Sequence, residues 1–162
     1  MEFRVGLGYD IHRLAKGKKL ILGGVEIPFS QGIVAHSDGD VLIHALMDAM
    51  LGALGLRDIG YFFSPDEESY SGIDSRELLK KVYAILKENK FEINNIDGVI
   101  VAEAPRLSDY IEKMKENIAL ILEMPSSRIS IKATTCEGIG FIGKGEGIAS
   151  WVIVSIIGEG KE

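Results

Sequence analysis

Apolar and polar residues alternate near the start of the chain, and this pattern predicts a β-strand over residues 3–13. One face of the strand carries Val5, Leu7, Tyr9 and Ile11, and the other carries Gly6, Gly8, Asp10 and His12. The two glycines therefore leave space beside two potential metal ligands.

The hydrophobic pattern then predicts a series of strands and helices. In chain order these are a hairpin over 19–28, a loop from Gly32 to Ser37, a helix from about Asp38 to Leu54, an irregular stretch from Gly55 to Asp74, an amphipathic helix from Asp74 to Asn89, a strand from Gly98 to Glu103, a second amphipathic helix from Ser108 to Glu123, a strand from Ile129 to Thr135, a glycine-rich loop over 138–147 and a last strand over 148–157. This order indicates an α+β fold, a two-layer α/β sandwich in which helices cover one face of a mixed β-sheet. We expect a single domain over residues 1–162. The last strand is apolar on both faces, so another subunit is expected to cover the face that the helices leave open.

Composition narrows the class of protein. With 162 residues and 46% apolar residues, the chain is long and apolar enough for one globular domain. The net charge of −6 disfavours binding to nucleic acid, and the longest apolar stretches are too short or too interrupted to cross a membrane. Cys136 is the only cysteine, which excludes an internal disulfide. Because the N-terminal segment also lacks the features of a signal peptide, we expect a cytoplasmic protein.

The predicted helix from Asp38 is apolar nearly all round, except for a stripe formed by Asp40, His44 and Asp48. The stripe is a narrow hydrated face, a core histidine with its hydrogen bonds satisfied, or part of a functional site. Together, Asp10, His12 and His44 make a set of two histidines and one aspartate, and such a set with an open fourth position is typical of catalytic zinc. From spacing alone, metal binding and a structural role are about equally supported.

Two further segments could bind phosphate. Before the helix, His36 and Ser37 combine a histidine, a hydroxyl and a helix N-terminus whose free N–H groups suit an anion, although an ordinary loop capped by Ser37 or Asp38 has the same pattern. At the end of a predicted strand, the hydroxyls of Thr134 and Thr135 and the carboxylate of Glu137 could hold phosphate and Mg²⁺, although paired threonines are also ordinary strand composition.

Cysteine chemistry and a nucleotide-binding loop are both disfavoured. Cys136 has no histidine or cation clearly paired with it in the sequence, so a nucleophilic role is not indicated. The glycine-rich segment over 141–147 fits neither the Walker pattern nor the dinucleotide fingerprint, so no ATP or NAD site is expected.

Six motifs, taken in order, resemble those of the 2-C-methyl-D-erythritol 2,4-cyclodiphosphate synthase family. They are Gly8-Tyr9-Asp10-Ile11-His12, Ala35-His36-Ser37-Asp38-Gly39-Asp40 with His44, Asp58-Ile59-Gly60, Ala102-Glu103-Ala104-Pro105, Lys132-Ala133-Thr134-Thr135-Cys136-Glu137 and Gly143-Lys144-Gly145-Glu146-Gly147. The resemblance implies an internal phosphoryl transfer that converts 4-diphosphocytidyl-2-C-methyl-D-erythritol 2-phosphate to the cyclic diphosphate with release of CMP, in the non-mevalonate route to isoprenoid precursors. The enzyme class implied is a metal-dependent phosphorus–oxygen lyase.

The resemblance also implies roles for individual residues. Asp10, His12 and His44 match ligands of Zn²⁺ or another divalent transition metal, and Glu137 matches a residue that helps hold Mg²⁺ or Mn²⁺ with the substrate phosphates. His36 and Thr135 match groups that stabilise the transition state. The positions that match substrate-binding residues are Ser37, Asp58, Gly60, Phe63, Asp66, Ala102, Pro105, Arg106, Leu107, Ser108, Thr134, Phe141 and Lys144.

The assembly implied by the resemblance is a homotrimer whose active sites lie between subunits, with a cytidine diphosphate compound as substrate. An isoprenoid diphosphate or another anion is expected near Lys144 at the three-fold axis, and neither nucleic acid nor a membrane is expected as a partner.

The sequence departs from the family at Phe63-Ser64-Pro65-Asp66, where relatives commonly show Phe-Pro-Asp.

Two other functions use the same metal ligands. A zinc-dependent phosphohydrolase would cleave a nucleotide diphosphate with water bound at the open metal position. A non-catalytic scaffold stabilised by metal would lose its fold in a chelator and release no CMP.

Overall fold

The computed structural model describes residues 1–159, so the last three positions of the predicted 1–162 domain lie outside the described residues. The strands are β1 (Glu2–Lys16), β2 (Leu20–Leu22), β3 (Val25–Ile27), β4 (Gln31–Val34), β5 (Phe91–Val101), β6 (Ile129–Thr134) and β7 (Gly147–Gly158). The helices are α1 (Val41–Ala53), α2 (Ile59–Phe62), α3 (Ser75–Glu88), α4 (Ile111–Ile121) and α5 (Gly140–Gly143), with short 3₁₀ turns at Glu68–Tyr70, Ser108–Tyr110 and Ser126–Arg128.

Five strands form one mixed sheet in the order β4-β1-β7-β5-β6, and β2 and β3 form a separate hairpin. The central strand, β7, is antiparallel to both β1 and β5, whereas β5 and β6 are parallel. In the register of β1 and β7, Asp10 is opposite Ser150 and His12 is opposite Ile148. The predicted α+β class and mixed sheet are confirmed.

Two glycines of β1 allow α1 to lie directly on the sheet. A Cβ atom on Gly6 would lie 1.9 Å from the Ala49 carbonyl oxygen, and one on Gly8 would lie 1.8 Å from the Ala45 carbonyl oxygen. Side chains at either position would therefore force the helix away from the strand. The close approach brings His44, one residue before Ala45, to the same side of β1 as Asp10 and His12.

The other face of the sheet is apolar and exposed on β1 and β7. Its large side chains and their exposed fractions are Phe3 60%, Val5 56%, Leu7 64%, Tyr9 43%, Trp151 39% and Ile153 48%. On the helical side, by contrast, Val152, Val154 and Ile156 of β7 are buried. A contiguous apolar face of this kind is typical of a protein–protein contact.

Several predicted boundaries were wrong. The N-cap of α1 is Asp40, whose carboxylate accepts a hydrogen bond from Ile43 N, rather than Ser37 or Asp38. The first half of the predicted loop from Gly32 to Ser37 is strand β4. Strand β5 starts at Phe91, whereas the prediction began it at Gly98. The sequence pattern missed the first residues because a register shift between Ile93 and Asn95 interrupts the alternation that identifies a strand.

The second amphipathic helix and the glycine-rich loop also differ from prediction. The helix predicted over 108–123 begins as a 3₁₀ turn and is α-helical only from Ile111 to Ile121. The loop predicted over 138–147 contains the short helix α5. Within residues 1–159, no helix is both long enough and apolar enough to cross a membrane.

Candidate metal and substrate site

The three predicted metal ligands converge at one point between β1 and α1. His12 Nε2 and His44 Nδ1 each lie 3.0 Å from Asp10 Oδ2. One ligand atom from each residue lies within 4.8 Å of the other two. The convergence follows from the alternation of β1, which puts Asp10 and His12 on one face, and from the close packing of α1 on that face.

The surroundings of the His12 Nε2 atom suit a metal ligand. Its Nε2 atom is buried and, although close to Asp10, has no aligned hydrogen-bond partner among the described residues. Buried polar atoms without such a partner are rare in folded proteins. Two imidazole nitrogens and one carboxylate oxygen are also the donors that zinc accepts. A divalent cation at this point would satisfy His12 Nε2, so the residues present fit the metal that the sequence predicts.

Charge stabilises the cluster. Burial opposes ionisation of Asp10, but contacts with His12 and His44 outweigh it and lower the pKa of this carboxyl below its ordinary value. Burial likewise opposes protonation of His44, but the hydrogen bond and the charge of Asp10 raise the pKa of His44 above its ordinary value. The Asp10 carboxylate and the His44 imidazole therefore attract one another, and a cation at the cluster would take the place of the proton between them.

A cavity of about 220 Å³ opens beside the cluster. It is lined by the three ligands and by Ala35, His36, Ser37, Ile59, Gly60, Phe63, Pro65, Tyr70, Ile73 and Leu78. Of the residues predicted to act on substrate, His36, Ser37, Gly60 and Phe63 are thus brought together with the ligands. Phe63 packs edge-on against Tyr70, with ring centroids 5.6 Å apart, so the irregular segment forms one wall of the cavity.

A carboxylate caps the start of α1, as in the ordinary capped loop that the sequence left open beside anion binding. The Asp40 carboxylate accepts hydrogen bonds from Gly23 N at 3.0 Å, Gly24 N at 2.8 Å and Ile43 N at 3.1 Å, and Asp40 is fully buried. Burial, reinforced by the Asp38 carboxylate and opposed by these backbone groups, raises the pKa of Asp40 to about 6. The Asp40 carboxylate thus lies at the helix N-terminus, and phosphate binding by His36 and Ser37 stays a prediction.

A second cavity, of about 400 Å³, lies at the carboxyl ends of β5 and β6. It is lined by Ala102, Glu103, Ala104, Pro105, Arg106, Leu107, Ser108, Ile111, Ala133, Thr134 and Thr135. The predicted substrate-binding residues from Ala102 to Ser108 and the two threonines therefore share one cavity. Strand β7 separates these strands from β1, and the second cavity has no lining residue in common with the metal cavity.

Glu137 lies in a turn that a second glutamate holds in place. The Glu103 carboxylate accepts hydrogen bonds from Cys136 N and Gly138 N, both at 3.1 Å. Between them, Glu137 has a φ of 52° and an exposed side chain. Positive φ is uncommon for residues other than glycine, and such strain is often found at functional sites.

Four predicted substrate residues lie outside these two cavities. Asp58 is the N-cap of α2 and accepts a hydrogen bond from Tyr61 N at 3.0 Å, and Asp66 is exposed. Phe141 lines a small third cavity with Ile11, His12, Arg13, Glu146 and Gly147. Lys144 is exposed at the end of α5.

A larger groove, of about 530 Å³, lies between α3 and α4, away from all of these residues. Its cations are paired with residues near them in sequence, Arg76 with the N-cap Asp74 and Lys80 with Glu77, each at 2.7 Å. The cations of the larger groove are thus already paired, whereas the smaller cavity is lined by the predicted metal ligands. We therefore take the smaller cavity as the candidate functional site.

Known proteins resemble this chain in both sequence and fold. The 2-C-methyl-D-erythritol 2,4-cyclodiphosphate synthase of Halothermothrix orenii is 55% identical over 154 residues, which cover 95% of this chain and 93% of the relative. The bifunctional IspDF of Campylobacter jejuni superposes with a TM-score of 0.94 at 42% identity, over 98% of this chain and 43% of that longer chain. A CDP complex of IspF from Plasmodium falciparum superposes with a TM-score of 0.85 at 32% identity, over 97% of both chains.

The sequence model of the YgbB family matches residues 3–157. The chain belongs to the YgbB family. The match includes all residues of the metal cluster and of both cavities, so the predicted family resemblance is confirmed over the whole site region.

Sequence reasoning missed three polar residues of this YgbB-family site. Ser75 donates a hydrogen bond to Asp38 and lies 2.9 Å from His44 Nε2, and Glu103 holds the turn around Glu137. The signals were weak: Asp38 was considered only as a cap, and Ser75 only as part of a helix start. Glu103 belongs to a motif that carried the family resemblance, but no separate role was assigned to it.

Proposed function

We propose that this chain catalyses an internal phosphoryl transfer, in which 4-diphosphocytidyl-2-C-methyl-D-erythritol 2-phosphate becomes 2-C-methyl-D-erythritol 2,4-cyclodiphosphate and CMP. The observation that carries the proposal is the convergence of Asp10, His12 and His44 beside a cavity that contains His36 and Ser37. Membership of the YgbB family and the names of the relatives support the same reaction. The relative solved with CDP supports a cytidine diphosphate substrate.

The metal is assigned from the donor set. We assign Zn²⁺, or another divalent transition metal, to the three ligands, because two imidazoles and a carboxylate leave a fourth position open. When bound, the cation supplies positive charge against a phosphate oxygen. Glu137 is assigned to Mg²⁺ or Mn²⁺ shared with the substrate phosphates, since an exposed carboxylate in a fixed turn suits a hard cation.

The protein's own contribution is to hold two negatively charged groups together. The 2-phosphate oxygen must meet the β-phosphorus in line with the departing CMP, so a folded substrate conformation has to be stabilised. His36 and Ser37 can donate hydrogen bonds to phosphate in the first cavity, and Thr134 and Thr135 can do so in the second. Gly60, Phe63 and Tyr70 provide the wall that excludes water from that conformation.

The cytidine part of the substrate fits the second cavity. Its lining from Ala102 to Ser108 offers backbone N–H and C=O groups, which can read the edge of a cytosine, and Arg106 Nε donates to Ser108 Oγ at 3.1 Å, which orders the rim. Asp58 and Gly60 are assigned to the ribose, and Asp66, Phe141 and Lys144 to the outer parts of the substrate site. These assignments rest on the family motifs.

A homotrimer would bring the two cavities together. Within one chain they are lined by different elements, and β7 lies between those elements in the sheet. The exposed apolar face of β1 and β7 is the surface on which a second copy would pack. We therefore propose three active sites, each formed by the metal cavity of one subunit and the cytosine cavity of its neighbour.

A cytoplasmic location is proposed from the single free cysteine, Cys136.

An anion is proposed at the three-fold axis of this trimer. Lys144 is exposed at the end of α5, and three such ammonium groups near an axis would repel one another unless an anion lay among them. An isoprenoid diphosphate, or another anion, meets that requirement. Calorimetric titration of geranyl diphosphate should show weaker binding to Lys144→Ala than to the wild type and tighter binding to Lys144→Arg, because arginine binds phosphate through two parallel hydrogen bonds. Equal affinity in all three proteins would remove Lys144 from anion binding.

Product identification tests the proposed reaction. The purified chain is incubated with Zn²⁺, Mg²⁺ and the cytidine substrate, and the phosphorus NMR spectrum is followed. The proposal predicts CMP together with a cyclic diphosphate. A linear phosphate in its place would indicate the phosphohydrolase, and no CMP at all would indicate the metal-stabilised scaffold.

A further inference from the structure

The imidazole of His44 is held on both sides. Its Nδ1 atom is directed at the metal cluster, 3.0 Å from Asp10 Oδ2. On the opposite side, its Nε2 atom lies 2.9 Å from Ser75 Oγ and 3.2 Å from Ser37 Oγ. Ser75 is fully buried and His44 is only 7% exposed, so bulk water cannot easily replace either contact.

Asp38 fixes the direction of the hydrogen bond between Ser75 and His44. The Ser75 hydroxyl donates to Asp38 Oδ1, and the Ser75 backbone N–H donates to Asp38 Oδ2 at 2.8 Å. A carboxylate accepts hydrogen bonds and does not donate them, so the single hydroxyl proton of Ser75 is directed to Asp38. Towards His44, Ser75 Oγ can then only accept, and His44 Nε2 must carry a proton.

The proton on Nε2 determines which nitrogen can bind a metal. A neutral imidazole carries one N–H, and the other nitrogen keeps its lone pair. Without a metal, Nδ1 can donate a second N–H to the Asp10 carboxylate 3.0 Å away, and when a cation displaces that proton, the Nδ1 lone pair faces the cluster while Nε2 keeps its own N–H. The opposite tautomer would place an N–H at the cluster and prevent His44 from acting as a ligand.

We propose that Asp38 and Ser75 are positioning residues that hold His44 as the Nε2–H tautomer and thereby keep Nδ1 available to a divalent cation. The catalytic importance of that cation rests on the proposed function. Partners of this kind, which bind the far nitrogen of a ligand histidine, typically change metal affinity about 10- to 100-fold when they are removed.

Ser37 offers the competing arrangement. Its hydroxyl could donate to an unprotonated Nε2, which would favour the tautomer with the proton on Nδ1. The contact with Ser75 is the shorter of the two, 2.9 Å against 3.2 Å, and only Ser75 has its proton committed to a carboxylate. These two facts favour the Nε2–H tautomer.

Metal binding in the absence of substrate gives the first test. Co²⁺ is titrated, in competition with a chelator, into metal-free samples of the full chain carrying no substitution, Ser75→Ala or Ser155→Ala. Ser155 is the matched control, because it is also a buried serine but hydrogen-bonds to Asn95 on β5. We expect the Co²⁺ dissociation constant to rise about 10- to 100-fold in Ser75→Ala. In Ser155→Ala it should stay within about twofold of the wild type, because distant sites act independently.

Histidine NMR gives the second test and reads the tautomer directly. In metal-free protein labelled with ¹⁵N-histidine, the wild type should show a proton on His44 Nε2, whether or not Nδ1 also carries one for the Asp10 carboxylate. In Asp38→Asn the side-chain amide can donate to Ser75, so the serine can turn its proton towards Nε2 and the Nδ1–H tautomer should increase. A wild-type His44 with a proton on Nδ1 and none on Nε2 would overturn the proposal.

Turnover separates this proposal from the proposed function. If Ser75 acts through metal occupancy, excess Co²⁺ or Zn²⁺ should restore most of the CMP release of Ser75→Ala, with a raised metal concentration for half activation. If the wild type binds Co²⁺ and Ser75→Ala binds it with the same affinity, the positioning role alone is overturned. Wild-type protein that binds no metal at the cluster would overturn the proposed function as well.

Discussion

His12 and His36 lie in the same cavity, but their replacement by alanine should have different effects. His12→Ala removes the buried Nε2 atom at the cluster, and the two remaining ligands cannot define a zinc geometry, so zinc affinity should fall by more than about 100-fold and CMP release should fall with it. His36→Ala should keep the zinc and lower turnover by about 100-fold, since it removes only a hydrogen-bond donor to the transition state. Zinc content by mass spectrometry and CMP release check both.

The outcome that would contradict this account is a His12→Ala protein that retains the wild-type zinc content. A His36→Ala protein that loses its zinc would instead place His36 in the metal site, at variance with its exposed position.

Glu137 can be tested through the magnesium dependence of turnover. Glu137→Gln keeps the shape of the side chain and removes its charge, so the Mg²⁺ concentration for half-maximal turnover should rise about tenfold while zinc content is unchanged. The neighbouring Cys136→Ser is the control and should leave the activation curve unaltered. If Glu137→Gln and wild type give the same curve, Glu137 does not hold the second cation.

Individual residues differ in how far the sequence predicts them. The alternation of β1 places Asp10 and His12 on one face, and the polar stripe of α1 adds His44, so the cluster follows from periodicity. Ser75 follows an irregular segment and begins a helix, where serine is common for local reasons. Its contact with His44 depends on how α3 packs against α1, which no local pattern encodes.

The packing of α1 on β1 depends on the glycines of the strand. Gly8→Ala would place a Cβ atom 1.8 Å from the Ala45 carbonyl oxygen, so the helix must move and the free energy of unfolding should fall by about 3 kcal/mol. The movement would also separate His44 from Asp10 and His12, and zinc affinity should fall. Urea denaturation and zinc titration measure the two effects.

Gly52→Ala is the matched control on the same helix. Gly52 is exposed, and a Cβ atom there would have no neighbour within 4 Å, so alanine should raise the free energy of unfolding by about 0.5–1 kcal/mol through its helix propensity. A Gly8→Ala protein as stable as Gly52→Ala would show that α1 does not rest on the strand as described.

Boundaries of elements were predicted less well than the elements themselves. The start of α1 is set by Asp40, whose carboxylate also binds Gly23 N and Gly24 N of the hairpin formed by β2 and β3. These partners are distant in sequence, so local capping preferences could not distinguish Asp40 from Ser37 or Asp38. Strand β4 was missed because it has only four residues, one of them a glycine.

At the scale of the whole molecule, the apolar face of β1 and β7 determines the proposed assembly. Leu7 is 64% exposed at the centre of that face, so Leu7→Glu should place a charge in the subunit contact and convert the trimer to monomers. Leu120, 82% exposed on α4, is the control, and Leu120→Glu should leave the trimer intact. Sedimentation velocity distinguishes the two, and a Leu7→Glu protein that still sediments as a trimer would exclude this face as the contact.

Sequence patterning predicted that one sheet face would be open, because the last strand is apolar on both sides. It could not predict the number of subunits, since that number depends on the angle between packed faces and not on the periodicity of any strand. The trimer was expected from the family resemblance alone.

The central claim is that the substrate's own phosphate, and not water, attacks the β-phosphorus. The most direct measurement is to run the reaction in water enriched in oxygen-18 and to weigh the products by mass spectrometry. Internal transfer consumes no water, so the account predicts CMP and a cyclic diphosphate that both contain only the oxygen of the original substrate. One oxygen-18 atom in CMP, or in a linear phosphate formed beside it, would contradict the account and identify the chain as a hydrolase.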